Sequence, residues 1–300
     1  VPPSGEQLTL RQGSQRVSVV SVGGGIREYT VDGVPVLDGY GSSDMCDGAR
    51  GQLLLPWPNR IRGGRYAWRG AEHQLPLTEP ALGNAIHGLT RWVAWAVTRR
   101  EEAHVVLEHL LYPQDGYPFA LALRAAYELD PGGLRVRVSA TNTGSEPCPF
   151  GAGAHPYLTA GDASVDTCSL EIRAATSLRT DSQHIPCGAG AVTGTSLDFR
   201  SPRPIGGTVL DTAFTDLARD AAGIARVVLD GPSGRRTLWM DATFRYVMIF
   251  TGDTLAPERR RRSIAVEPMS CAPNAFQTGE GLVTLEPGET VSCDWGIVPG

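Results

Sequence analysis

No apolar run in the 300-residue chain approaches the ~20 residues of a membrane-spanning helix. There is no Cys-x-x-Cys pair and no tight Cys/His cluster. The six cysteines (Cys46, Cys148, Cys168, Cys187, Cys271 and Cys293) are scattered, so no metal site is expected. A chain of this length does not depend on disulfide staples, and free, mostly buried thiols in a cytoplasmic protein are the expectation. The opening Val-Pro-Pro-Ser-Gly lacks a signal-peptide pattern. Positive charge is not in excess: the net charge is −5 and the pI about 5.7, which argues against general binding to nucleic acid or to an anionic membrane. Also missing are a low-complexity linker, a sequence repeat and any convincing amphipathic helix longer than two turns. The best short helical candidate is Asp211 to Asp220.

What is present is ordinary globular material, 41% hydrophobic and 20% charged, with 36 glycines and 22 prolines that punctuate short β-prone runs. Asp32-Gly33 separates two such runs and predicts a hairpin; Arg69-Gly70-Ala71 predicts another. Trp92 to Thr98, His104 to Leu111, Leu121 to Leu129 and Leu134 to Thr141 follow as strands. In the last of these, Leu134, Val136, Val138 and Ala140 alternate with polar residues, the period-two pattern of one buried and one wet face. Further strands are expected at Leu170–Arg173, Arg226–Leu229, Thr237–Met240, Tyr246–Thr251, Gly281–Leu285 and Thr290–Val298. So many short strands predict an all-β chain, one large antiparallel sandwich over residues 1–300, with a concave sheet face as the natural binding site.

The chemistry is expected around Arg262 to Phe276. Ile264-Ala265-Val266 reads as a buried strand that delivers Glu267 and is stopped by Pro268; Pro273 then keeps the stretch from becoming a helix. A carboxylate held between rigid points suits a positioned base. Two of the six histidines, His87 and His155, sit beside turn-forming residues in apolar surroundings. Asn59 and Arg60 can make directed hydrogen bonds to hydroxyls, and Trp57, flanked by Pro56 and Pro58, can cover the apolar face of a sugar ring. These parts suit carbohydrate chemistry. The run Arg259–Arg262 reads as a solvated loop tip.

Five segments in order resemble the aldose 1-epimerase (galactose mutarotase) family over nearly the whole chain. They are Asn59-Arg60-Ile61, Asn84-Ala85-Ile86-His87-Gly88, His155-Pro156-Tyr157-Leu158, Asp211-Thr212-Ala213-Phe214 and Val266-Glu267-Pro268. The resemblance implies a β-sandwich of the supersandwich type. It also implies interconversion of the α and β anomers of a free aldohexose without metal or cofactor. By the same resemblance Glu267 is the general base and His155 the general acid, while Arg60, His87 and Asp211 contact sugar hydroxyls. The chain departs from the family at Pro56-Trp57-Pro58, at Leu89 after His87-Gly88, and at Leu158 where Phe is common. These departures are expected to reshape the pocket and so bear on which sugar is used.

Three other readings compete. A sugar-phosphate epimerase would want extra cations, for which Arg62, Arg91 or Arg259–Arg262 could serve. A non-catalytic carbohydrate-binding protein could use the same fold. A glycoside hydrolase would pair Glu267 with a second carboxylate such as Asp211. In each case the partner is a small sugar.

Overall fold

In the computed structural model, which describes residues 1–161 and 164–300, two large antiparallel sheets carry most of the chain. The first has nine strands. At its centre Leu121–Asp130 and Gly133–Asn142 form a hairpin whose register runs unbroken from Asp130 opposite Gly133 to Leu121 opposite Asn142. His104–Leu111 extends it on one side and Thr290–Val298 on the other. The alternation in the second arm is realised: Leu134, Val136, Val138 and Ala140 are each at most 2% exposed.

The second sheet has eight strands. Seven run in the order Pro186–Ala191, Ala174–Thr180, Asp211–Leu217, Tyr246–Phe250, Ile264–Met269, Gly153–Ala154, Leu53–Leu54, and Tyr157–Leu158 pairs with Ile264–Met269 at its side. A single apolar core joins the two sheets, with Leu123, Val136 and Leu238 from the first against Phe214, Val247 and Val266 from the second. That is the sandwich expected. A four-stranded sheet over Gln7–Pro35 shares this core through Leu8, Leu10, Val17 and Tyr29.

Several local expectations are corrected. Asp211–Leu217 is not helical but a strand between two partners, because its β-branched and aromatic residues join a ladder on both sides. The strand expected from Trp92 begins only at Ala96. Before it, the Gly23 and Trp95 amides bond to Val93 and Ser21 carbonyls, so residues 91–95 are tied to the chain at 21–23 instead of to a neighbouring strand. Pro268 does not end its strand, which continues to Met269. The Val266 and Ser270 amides donate to Pro156 and Ala152, and Pro268, which has no N–H to give, falls between them, where the neighbouring strand is broken at His155-Pro156. One helical turn, Ala275–Thr278, follows Pro273 after all, entered through Asn274 at φ 66° and closed by Gly279 at φ 78°.

The arginine run is a solvated tip only in part: Arg260 and Arg262 are exposed, whereas Arg259 and Arg261 are half-buried. Arg259 and Arg262 approach Asp38, and Arg261 bonds to Asp166 and Asp253 and to the carbonyls of Gly206 and Thr208. It fastens three loops together. All six cysteines are unpaired, four of them buried. Among the described residues no helix is long and apolar enough to cross a membrane.

Candidate active site

Period two places Glu267. In Ile264–Met269, Ile264 and Val266 enter the main core, so Ala265, Glu267 and Met269 point to the other face of the sheet. There Glu267 stands opposite Met248, and Met248 opposite Ala213 on the next strand. Asp211, two residues before Ala213, shares that face. The Glu267 side chain is 3% exposed and lies within the strand, two residues before its end.

His155 sits in the break between Gly153–Ala154 and Tyr157–Leu158, where the chain leaves the ladder and turns a side chain inward. Its amide donates to the Gln52 carbonyl and its carbonyl accepts from the Gly51 amide. The ring stacks on Tyr157 at 5.0 Å and 15° between planes; the Arg50 guanidinium covers the Tyr157 ring at 4.3 Å. Arg50 is itself held by Asp38 at 2.9 Å. His155 Nε2 then lies 3.2 Å from Glu267 Oε1.

Asn59 and His87 fasten each other. Both occupy the left-handed region, at φ 55° and 62°. The His87 amide donates to the Asn59 carbonyl at 2.9 Å, and the Asn59 amide donates to His87 Nδ1 at 3.2 Å. Nδ1 is therefore an acceptor and Nε2 carries the proton of the neutral ring. Gly88 is required next to it: at φ 70°, a Cβ there would lie 2.0 Å from the Leu55 carbonyl oxygen. Non-glycine residues at positive φ cost stability, and their clustering here is what a site held in one geometry shows.

Arg60 is gripped by Glu79 through Nε and Nη2, each with a bond of 2.9 Å, and Asn84 holds the same carboxylate at 3.1 Å. Asp211 Oδ2 meets His184 Nδ1 at 2.8 Å. Asn59, Arg60, His87, His155, Asp211 and Glu267 thus come from five stretches of chain to line one cavity of about 480 Å³. A larger cleft of about 620 Å³ lies elsewhere, over Asp38, Arg259 and Arg262, whose charges face one another.

Burial sets the protonation of the central groups. It pushes the Glu267 carboxyl well above the usual range, Asp211 adding to the rise and Arg60 opposing it. It drives the His155 imidazole down to about 3, with the Arg91 and Arg50 charges acting in the same direction. His87 is also lowered, by burial first and then by His155 and Arg91. Both shifts favour a neutral pair that shares one proton, resting on Glu267, across the 3.2 Å between the two groups. Glu267 Oε2 and His155 Nδ1 are buried with no hydrogen-bond partner. The donor atoms of His87, His155 and Glu267 lie within 4.8 Å of one another, so these three could also hold a divalent transition metal.

Trp57 is a correction. It is 2% exposed, packs at 5.4 Å against Phe276 in the core and does not line the cavity. Its flanking prolines fix the backbone but not the side to which the ring points. The other departures do not line the cavity either: Leu158 is fully buried and Leu89 packs against the core. Glu79 and His184, by contrast, line the cavity without having been anticipated. Glu79 is followed by proline as Glu267 is, but so are Glu146 and Glu286, so that pair alone does not single it out. For His184, at φ 57°, no sequence signal exists.

Residues 6–295 match the family described as aldose 1-epimerase. The chain belongs to the aldose 1-epimerase family. Among its relatives, an Escherichia coli (strain K12) protein named YihR, itself described as uncharacterized, is 33% identical over 287 residues, 95% of this chain and 91% of that one. Rat galactose mutarotase (Rattus norvegicus) is 31% identical over 229 residues, 68% of this chain and 64% of the relative. Among solved structures, an aldose epimerase homologue from C. elegans superposes with a TM-score of 0.86 at 17% identity, covering 98% of each chain. Galactose 1-epimerase from Lactobacillus acidophilus does so at 0.79 and 23%, covering 96% of this chain and 93% of its own. At these identities the two structures show the shared epimerase fold.

Proposed function

We propose that the protein is an aldose 1-epimerase that interconverts the α and β anomers of an aldohexose. The observation that carries this is the buried Glu267–His155 contact, 3.2 Å, in a cavity lined by groups suited to hydroxyls. With the shared proton on His155, the Glu267 carboxylate takes the proton of the anomeric hydroxyl. The C1–O5 bond breaks as the C1–O1 carbonyl forms, and O5 takes the proton of His155. After rotation about C1–C2, O5 attacks the other face of the aldehyde, returns its proton to His155, and O1 recovers one from Glu267. The steps balance on two side chains, each positioned acid or base contributing about 10²–10⁴-fold.

The remaining groups hold the ring. His87 donates from Nε2, Arg60 offers the Nη1 that Glu79 does not use, and Asp211, steadied by His184, accepts from hydroxyls. Asn59 supplies its amide. Glu267 Oε2, buried without a partner, gains one in the anomeric hydroxyl, removing a penalty of roughly 1–3 kcal/mol. Polarimetry of freshly dissolved α-glucose and α-galactose tests the reading: anomerisation faster than the uncatalysed background supports it. Binding without any acceleration would identify a carbohydrate-binding protein instead.

A further inference from the structure

The chain contains no lysine; its 27 basic side chains other than histidine are all arginines. Those near the pocket are nearly all neutralised. Arg60 is clasped by Glu79, Arg62 by Asp181 and Arg50 by Asp38. Arg91 lines the cavity and differs from all of them. Its guanidinium makes no hydrogen bond or ion pair among the described residues, and the nearest aromatic face, Trp92, is 6.0 Å away. Burial weakens its hold on its proton, and the Cys46 thiol opposes that. A half-buried guanidinium without a counter-ion is costly, and binding sites are where such a cost is retained.

Its position is also defined. The Gln52 side chain donates to the Arg91 carbonyl and the His155 amide donates to the Gln52 carbonyl, so Arg91 stands on the Leu53–Leu54 side of the strand that carries Glu267, whereas Asp211–Leu217 lies on the other side of that strand. Arg91 therefore lies at the end of the cavity away from the Asp211–His184 pair. A sugar that presents C1 to Glu267 and His155 and hydroxyls to Asp211 has a further substituent facing Arg91. Resting on the epimerase reading for the orientation of the ring, we infer that the substrate is an anionic aldose, one whose phosphate or carboxylate group is bound by Arg91. Arginine suits both groups because its planar fork matches two oxygens at once. A bound anion has a second consequence. It cancels the field that Arg91 exerts on His155 and so favours the tautomer with the shared proton on the imidazole, the form that donates to O5. The substrate's own charge then helps arm the acid.

The test compares glucose, glucose 6-phosphate and glucuronate with the wild type, Arg91→Gln and Arg91→Lys. Affinity is measured by calorimetry and anomer exchange by NMR. Wild type should favour at least one anionic sugar over glucose by about tenfold or more, in both dissociation constant and kcat/KM. The phosphate and carboxylate arms decide which anion. Arg91→Gln should bring the anionic-to-neutral ratio to within about threefold of unity, and Arg91→Lys should retain part of it. Added salt should lower the wild-type ratio. Equal handling of neutral and anionic sugars by the wild type, or an unchanged ratio in Arg91→Gln, would overturn the inference. Because affinity is read separately, a protein that binds anionic sugars through Arg91 yet accelerates nothing would defeat the epimerase reading and leave the anion site standing.

Discussion

The nine-stranded and eight-stranded sheets share one core but are built differently. In the first, Leu121–Asp130 and Gly133–Asn142 pair over ten residues with no slip, and polar residues on the outer face pair with each other, as Arg137 does with Asp294. In the second, three of the strands are only two residues long, Gly153–Ala154, Tyr157–Leu158 and Leu53–Leu54, and the ladder breaks at His155. Regular pairing consumes every backbone donor and leaves little to do chemistry with. A break frees one residue to point where the pattern would not send it. The same contrast runs through a single strand: Ile264 and Val266 stabilise, while Glu267, next in the chain and on the opposite face, is buried at a cost.

The two kinds of region should respond oppositely to substitution. The largest effect is expected at His155. Changing it to Gln should lower kcat about 10²–10⁴-fold while leaving the unfolding free energy unchanged or raised, since a buried imidazole with an unpartnered Nδ1 is removed. Polarimetry and urea unfolding of the same preparation check both halves. Trp57→Ala should do the reverse, costing about 3–5 kcal/mol of stability through the cavity left against Phe276. The folded fraction should keep its KM; a raised KM with full stability would put the ring back at the pocket.

A smaller effect concerns acid. His87 has a folded pKa well below 6.5, so on acidification through 6.5 the unfolded chain takes up a proton that the folded one does not, and stability falls. Glu267 and His155 are common to wild type and His87→Asn, so their titration drops out of the comparison. Wild type should therefore lose about 1 kcal/mol more than His87→Asn between pH 7 and 5.5, by urea unfolding at each pH. Equal losses would mean that His87 is not buried neutral. The smallest effect is expected at His184, where Ala should raise KM a few-fold with kcat nearly unchanged, because Asp211 loses one hydrogen bond worth about 1 kcal/mol. A fall in kcat instead would place His184 nearer the reacting atoms.

Legibility followed the same division. His104–Leu111 and Thr290–Val298 were readable to the residue because alternation and turn residues report a ladder directly. His155 and His87 could be picked out because proline and glycine beside a polar residue mark places where the chain leaves such a ladder; Glu267 and Arg60 stay within strands and were legible through the segments that resemble the family. What they touch was not readable. Whether Trp57 turns to the pocket or to Phe276, and whether Arg259–Arg262 meets water or Asp38, depends on contacts between distant segments. Asp211–Leu217 has local residues compatible with either a turn of helix or a strand, and only its two neighbours decide. Glu79 reaches Arg60 across a two-stranded pairing of Arg60–Arg62 with Asn84–Ile86 that no local pattern announces.

Glu267→Gln tests the central claim most directly. Glutamine keeps the side chain's size and can still accept a hydrogen bond, but it cannot take the anomeric proton. Anomer exchange measured by NMR at pH 7, with the uncatalysed rate subtracted, should fall about 10²–10⁴-fold while calorimetry shows sugar affinity within a few-fold of wild type. A folded Glu267→Gln protein that anomerises sugar at the wild-type rate would contradict the account, because the carboxylate 3.2 Å from His155 would then not be the base.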